Sequence, residues 1–236
     1  MKDATSLVSR ITVCFSQNHL EPSKELLAYA SSCDEFSLGN LSADDMQNSM
    51  CKYLDACASR NQSLSKVLGR TREPPIAETV TEAVNMFVDS ITRSDSLRHL
   101  NLGVTSEKTV KLPSGKYIKP DVGIWQKDQE RLLATVECKT CLGYQRKTWM
   151  IDYEKRVADF ASVGVSQSAS ILFVGTENTW GGFPKNDPRY RKTWFSLCPV
   201  GSWYGGGVNK EVPLLQLQHN GTLQGMFDAV VASCTR

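Results

Sequence analysis

The run Leu132-Leu133-Ala134-Thr135-Val136 passes without a break into Glu137-Cys138-Lys139. An apolar stretch of this kind reads as a strand covered on both faces, and a strand covered on both faces needs helices on both sides of its sheet. The polar residues that follow then stand at the strand's end, where it reaches a cleft. Sixteen residues before Glu137, Pro120-Asp121 opens another short apolar stretch. That separation suits a strand of about five residues, a tight connection and a returning strand. It brings Asp121 and Glu137 side by side. Alternation along the strand places Glu137 and Lys139 on one face and Cys138 on the other. Hard oxygen ligands beside an ammonium group are the chemistry used for phosphodiester hydrolysis by a divalent metal.

Elements of both kinds surround this pair. Residues 1 to about 70 read as a helical subdomain. Leu7, Val8, Ile11 and Phe15, then Leu26, Leu27 and Ala30, recur at helical spacing. Ser42 can cap a further helix that buries Met46, Met50, Tyr53, Leu54 and Cys57. This region carries no obvious chemistry, and a supporting or dimer-contact role is expected. Residues 71–236 form the core. After Pro74 and Pro75 a helix from about Ile76 shows the stripe Ile76, Val80, Ala83, Val84, Phe87 and Ile91, with Glu78, Glu82, Asn85 and Asp89 opposite. Beyond Asn101 the pattern turns to strands, with Lys108 to Leu112 and Lys116 to Trp125 expected as a hairpin around Pro113-Ser114-Gly115.

A helix over 147–162 buries Trp149, Tyr153, Val157 and Phe160, with Trp149 read as core rather than as a base-stacking platform. Ser170 to Thr176 follows as a buried strand parallel to the central one. Trp194 to Val200 and Val212 to Leu217 read as further extended runs, separated by the glycine-rich turn Gly201 to Gly207. A helix from about Leu223 closes the chain.

Composition sets bounds. At 236 residues the chain suits one compact unit or one domain with a helical appendage. A net charge of +2 neither requires nor excludes a polyanionic partner, since local distribution decides that. Lys139, Arg146, Lys147, Lys155 and Arg156 are such a local concentration. The eight cysteines are scattered rather than framework-spaced, which points to reduced thiols. With no charged apolar leader and no run of about 20 apolar residues, a cytoplasmic protein without a membrane partner is expected. The three histidines, His19, His99 and His219, stand far apart and near no motif.

Pro120-Asp121 followed by Glu137-x-Lys139 resembles the PD-(D/E)XK nuclease superfamily. The extension Glu-Cys-Lys-Thr-x-x-Gly-Tyr-x-Arg-x-x-Trp, from Glu137 to Trp149, is similar to type II restriction endonucleases. The resemblance covers about 30 residues. It implies an α/β fold of the restriction-endonuclease type, a central mixed β-sheet flanked by helices, with the N-terminal helices as an addition. It further implies a Mg²⁺-dependent endonuclease acting on double-stranded DNA, working as a homodimer in a bacterial or archaeal restriction-modification system. Asp121 and Glu137 would hold the metal and Lys139 would orient the attacking water. The helix before the core often adds a glutamate in such enzymes, and Glu78 and Glu82 are both candidates. Within the same fold a repair or recombination nuclease is the alternative. From another class, so is a non-catalytic DNA-binding module.

Two segments are candidates for DNA contacts. Gln145, Arg146 and Lys147 follow the central strand directly and can donate to phosphate oxygens. The long loop from Trp180 to Lys192 carries Lys185, Asn186, Arg189 and Arg191, side chains able to read base edges. A dimer arm is the other reading of that loop.

Overall fold

A computed structural model describes residues 6–69, 77–142, 146–177, 183–199, 213–217 and 221–235. Four helices come first: α1 (Leu7–Gln17), α2 (Lys24–Ser37), α3 (Ala43–Val67) and α4 (Ala77–Arg93). The first three begin at serines, Ser6, Ser23 and Ser42, whose side chains accept from the amide three residues on, satisfying an N–H the helix itself leaves unpaired. α1 has a second anchor. The Asp34 carboxylate of α2 accepts from the Leu7 and Val8 amides at 2.8 and 3.1 Å, and Arg93 of α4 closes on the same carboxylate at 2.8 Å.

The remaining elements build the sheet: β1 (Leu102–Ser106), β2 (Val110–Lys111), β3 (Tyr117–Ile118), β4 (Val122–Gln126), β5 (Arg131–Cys141), α5 (Arg146–Ala161), β6 (Ser170–Thr176), β7 (Trp194–Cys198) and α6 (Thr222–Cys234). Five strands run in the order β1-β4-β5-β6-β7. β1, β4 and β5 are antiparallel, whereas β6 and β7 each join in parallel. This is a mixed sheet flanked by helices, an α/β fold. The parallel partner of β5 follows α5, as a crossover requires.

Both faces are covered, which is why β6 is buried along all seven residues. Ile171 and Phe173 point to the side shared by α4, α6 and the N-terminal helices. Leu172 and Val174 point to a second cluster with Tyr153 of α5, Phe183 and Trp194. Truncating the fully buried Phe173 to Ala would cost about 3–5 kcal/mol. Trp149 joins the second cluster, edge-on to Phe183 and Trp194 at 5.7 and 5.3 Å, so it is core as expected.

The first helices share one continuous core with the sheet. Two side chains of α3 also satisfy backbone groups near the C-terminus. Gln47 Oε1 accepts from the Thr222 and Leu223 amides at 3.0 and 3.4 Å, capping α6, and Asp55 accepts from Leu214 and Leu215 at 2.8 and 3.2 Å.

Two strand expectations change. Lys108 to Leu112 does not pair with the whole of Lys116 to Trp125. Only Val110–Lys111 and Tyr117–Ile118 make a small ladder, and β4 pairs with β1 instead. Pro120 divides that run because it has no N–H to give to a ladder. Beyond it, the Glu107 amide donates to the Pro120 carbonyl at 3.0 Å and keeps β1 in line with β4. In the run Val212 to Leu217, the described residues hold a short 3₁₀ turn over Leu214–Gln216, because Asp55 captures the amides that a strand would present to a neighbour. Val212 and Gly201 to Gly207 lie outside the described residues.

Candidate functional site

The pairing of Val122 with Val136 places Asp121, one residue before β4, opposite Glu137 in β5. Both therefore stand at the same end of the sheet. Asp121 Oδ2 accepts from the Cys138 amide at 2.7 Å, which locks the carboxylate against the neighbouring strand and leaves Oδ1 for another partner. Burial raises the Asp121 carboxyl above its ordinary pKa, and the Glu137 charge raises it further. The Cys138 N–H, Lys139 and Arg156 oppose the rise without cancelling it. A carboxylate in that state gains from any added cation.

Glu137 is nearly enclosed, with its side chain 11% exposed, and two cations flank it. Lys139 Nζ lies 2.8 Å from Oε1 and Arg156 Nε lies 2.7 Å from Oε2. The Arg156 approach is an ion pair rather than an aligned hydrogen bond. Its Nη2 donates to the Lys119 carbonyl at 2.6 Å. One arginine of α5 thus ties Glu137 to the chain segment that leads into Asp121. Lys139 is 47% exposed, so its ammonium reaches solvent while Glu137 stays fixed beneath it.

Asp121, Cys138 and Lys139 line a cleft of about 730 Å³ that also receives Glu78 and Glu82 from α4 and an apolar wall from α1, including Leu7 and Ile11. The two helix glutamates differ in surroundings. The Glu82 residue is exposed overall, yet its carboxyl is crowded enough for desolvation to raise its pKa, while the Tyr53 hydroxyl and Arg60 pull it back. Glu82 is thus turned toward α3. Neither glutamate figures among the groups that shift Asp121.

Among the described residues no group of three or more His, Cys, Asp and Glu side chains is gathered closely enough to form a metal cage. The pair Asp121 and Glu137 is a different kind of donor set. Two carboxylates side by side at a sheet end, one of them lining a cleft, suit a hard cation that keeps most of its waters, as Mg²⁺ does, and do not suit a closed zinc site. Burial pushes the Cys138 thiol well above its usual pKa, so it is inert as a nucleophile.

The expected DNA-contact residues divide into groups. Gln145 lies outside the described residues, and for Arg146 and Lys147 only their place in the first turn of α5 is described. In the long loop, Lys185 Nζ is held by Glu177 Oε2 at 2.7 Å and by the Tyr190 hydroxyl at 2.9 Å. Arg189 forks onto Asp187 at 2.9 and 2.8 Å, approaches Glu154 at 3.3 Å and lies 4.0 Å over the Trp194 ring. These two cations have partners within the protein. Asn186 and Arg191 are exposed, Arg191 in a left-handed conformation with φ +58.

Two residues of consequence carry no local signal. Arg156 reads in sequence as one basic residue among several, because only the seating of α5 on β5 shows that it meets Glu137. Glu177 is fully buried, its Oε1 accepting from Ser196 at 2.7 Å and its Oε2 from the Phe183 amide at 3.0 Å and from Lys185. It holds the loop against the sheet. No segment of sequence near it announces that role.

No helix among the described residues is long and apolar enough to cross a membrane. Comparison with protein-family models, with curated proteins and with solved structures finds no match to this chain.

Proposed function

We propose that this chain is a Mg²⁺-dependent endonuclease that hydrolyses phosphodiester bonds of double-stranded DNA, with the restriction-endonuclease-like arrangement that its motif resembles. The observation that carries the reading is the juxtaposition at one sheet end of Asp121, Glu137 and Lys139, with Asp121 and Lys139 lining a cleft. The element order supports it: a helix, an antiparallel meander, a crossover helix and a parallel strand, with one candidate carboxylate just before the second strand of the meander and the other on the third.

Asp121 Oδ1 and Glu137 would hold the metal, with the Cys138 carbonyl as a third oxygen. A bound Mg²⁺ supplies charge neutralisation at the phosphate and acidifies water. The chain's own residues do the rest. The Cys138 amide fixes the Asp121 rotamer, and Arg156 fixes Glu137. The Lys139 ammonium, anchored on Glu137 but open to solvent, is placed to orient the attacking water and to stabilise negative charge as it develops on the phosphate oxygens. Cleavage at a two-fold symmetric site would use two copies of the chain, so a homodimer forms part of the proposal.

The test is digestion of a plasmid of known sequence with and without Mg²⁺, followed by sequencing of the ends. A discrete set of ends sharing one short motif is expected. Ends without a motif transfer the function to a nuclease that reads DNA shape, as in repair or recombination. No Mg²⁺-dependent cleavage overturns the nuclease assignment and leaves a non-catalytic DNA-binding module.

A further inference from the structure

The twelve residues from Lys108 to Lys119 contain Lys108, Lys111, Lys116 and Lys119 and no acidic residue. They form the excursion between β1 and β4 that holds the small ladder of β2 and β3. Its two faces differ. Val110 and Leu112 are buried and Ile118 is half-buried, so this side packs onto the protein. On the other side Lys111 pairs across the ladder with Tyr117, and alternation puts Lys119 on that side also. Lys111, Lys116 and Lys119 are exposed, and Tyr117 is 65% exposed. None of the four lysines makes an ion pair with a described residue. Lys108 instead lies 4.2 Å over the Trp125 ring.

This cationic face is fixed to the candidate active site. Lys119 is two residues from Asp121, and its carbonyl is held by the arginine that pairs with Glu137. The Pro120 carbonyl is held in turn by the Glu107 amide. At about 3.3 Å per extended residue, Lys119 stands roughly 7 Å along the chain from Asp121 and Lys116 roughly 17 Å. With phosphates along one strand about 3.4 Å apart in helical rise, that reach covers several consecutive phosphates beside the one at the carboxylates.

We infer that the β2–β3 hairpin is a clamp for the DNA backbone. Lys111, Lys116 and Lys119 neutralise consecutive phosphates flanking the scissile one, and the Tyr117 hydroxyl donates to the same strand. The inference rests on the nuclease reading and adds to it a binding surface outside both segments expected to touch DNA. Charge complementarity selects the occupant: an all-cationic face with an aromatic at its centre, continuous with a site for phosphodiester chemistry, fits a polyanionic backbone.

The experiment is binding of a 20-base-pair duplex by the full chain with Ca²⁺ in place of Mg²⁺, measured across a salt series. The triple variant Lys111→Gln, Lys116→Gln, Lys119→Gln is expected to flatten the log–log salt slope by about 2 to 3, since each phosphate contact contributes about 0.9. The corresponding Lys→Arg triple variant should retain the slope. Lys24→Gln, on the far-exposed start of α2, should not change it. Unchanged melting temperatures establish that the variants fold. A triple Gln variant with the wild-type slope overturns the clamp while leaving the nuclease reading standing if the wild type cleaves. A wild type that binds no duplex overturns both, as does binding confined to anionic lipid vesicles.

Discussion

Arg156 joins two parts of the site at once: its Nε stands 2.7 Å from Glu137 Oε2 and its Nη2 donates to the Lys119 carbonyl at 2.6 Å. Glu137 keeps Lys139 as a second cation, and the Arg156 side chain is 34% exposed, so removing it does not leave a bare buried charge. Arg156→Gln should therefore cost about 1–2 kcal/mol in denaturant unfolding, less than the loss of a fully buried pair. Arg156→Lys should recover only part, because a single ammonium cannot span both oxygens. Full recovery by lysine would show that net charge rather than the fork matters here.

Asp121 gives a pH signature. Its folded-state pKa is raised by burial and by Glu137, so the native protein holds that proton to higher pH than the unfolded chain does. As pH rises from the unfolded value of about 4 through the raised folded value, stability falls, and above it the cost is constant. Asp121→Asn keeps an oxygen for the Cys138 amide and removes the charge. It should match or exceed wild-type melting temperature at neutral pH, and that advantage should vanish below about pH 4. Mg²⁺ should raise the melting temperature of the wild type and not of Asp121→Asn. Equal stabilisation of both by Mg²⁺ would remove Asp121 from the metal site.

Glu177 anchors the loop from Phe183 to Thr193 through Phe183 and Lys185, and is itself held to β7 by Ser196. Glu177→Gln keeps one acceptor but places an amide NH₂ where donors already point. A loss of about 1–3 kcal/mol is expected, with hydrogen exchange at the Phe183 amide accelerated before exchange in β6 changes. Simultaneous loss of protection in both would show that Glu177 supports the sheet as a whole.

The central strand was legible because its apolar run has no helical period, and the N-terminal helices were legible because theirs do. β1 was not. Leu102-Gly103-Val104-Thr105-Ser106 contains a glycine and two hydroxyl residues, and its place at the sheet edge depends on β4, which the sequence offered to a different partner. Asp121, Glu137 and Lys139 were recognisable by type and spacing, and the register brings the first two opposite each other. Lys185 and Arg189 show the opposite limit. A sequence displays their charge but not Glu177, Asp187 and Glu154 beside them, so free donors and committed ones look alike. Arg156 was hidden for the same reason in reverse: its partners lie 19 and 37 residues away along the chain, on another strand and another loop.

The most direct measurement is the single-turnover rate of duplex cleavage in Mg²⁺ for the wild type, Asp121→Asn, Glu137→Gln and Lys139→Ala, each confirmed folded. The account predicts Mg²⁺-dependent cleavage by the wild type and a loss of at least a hundredfold in each variant. Wild-type cleavage that is undiminished in Asp121→Asn or Lys139→Ala would contradict it.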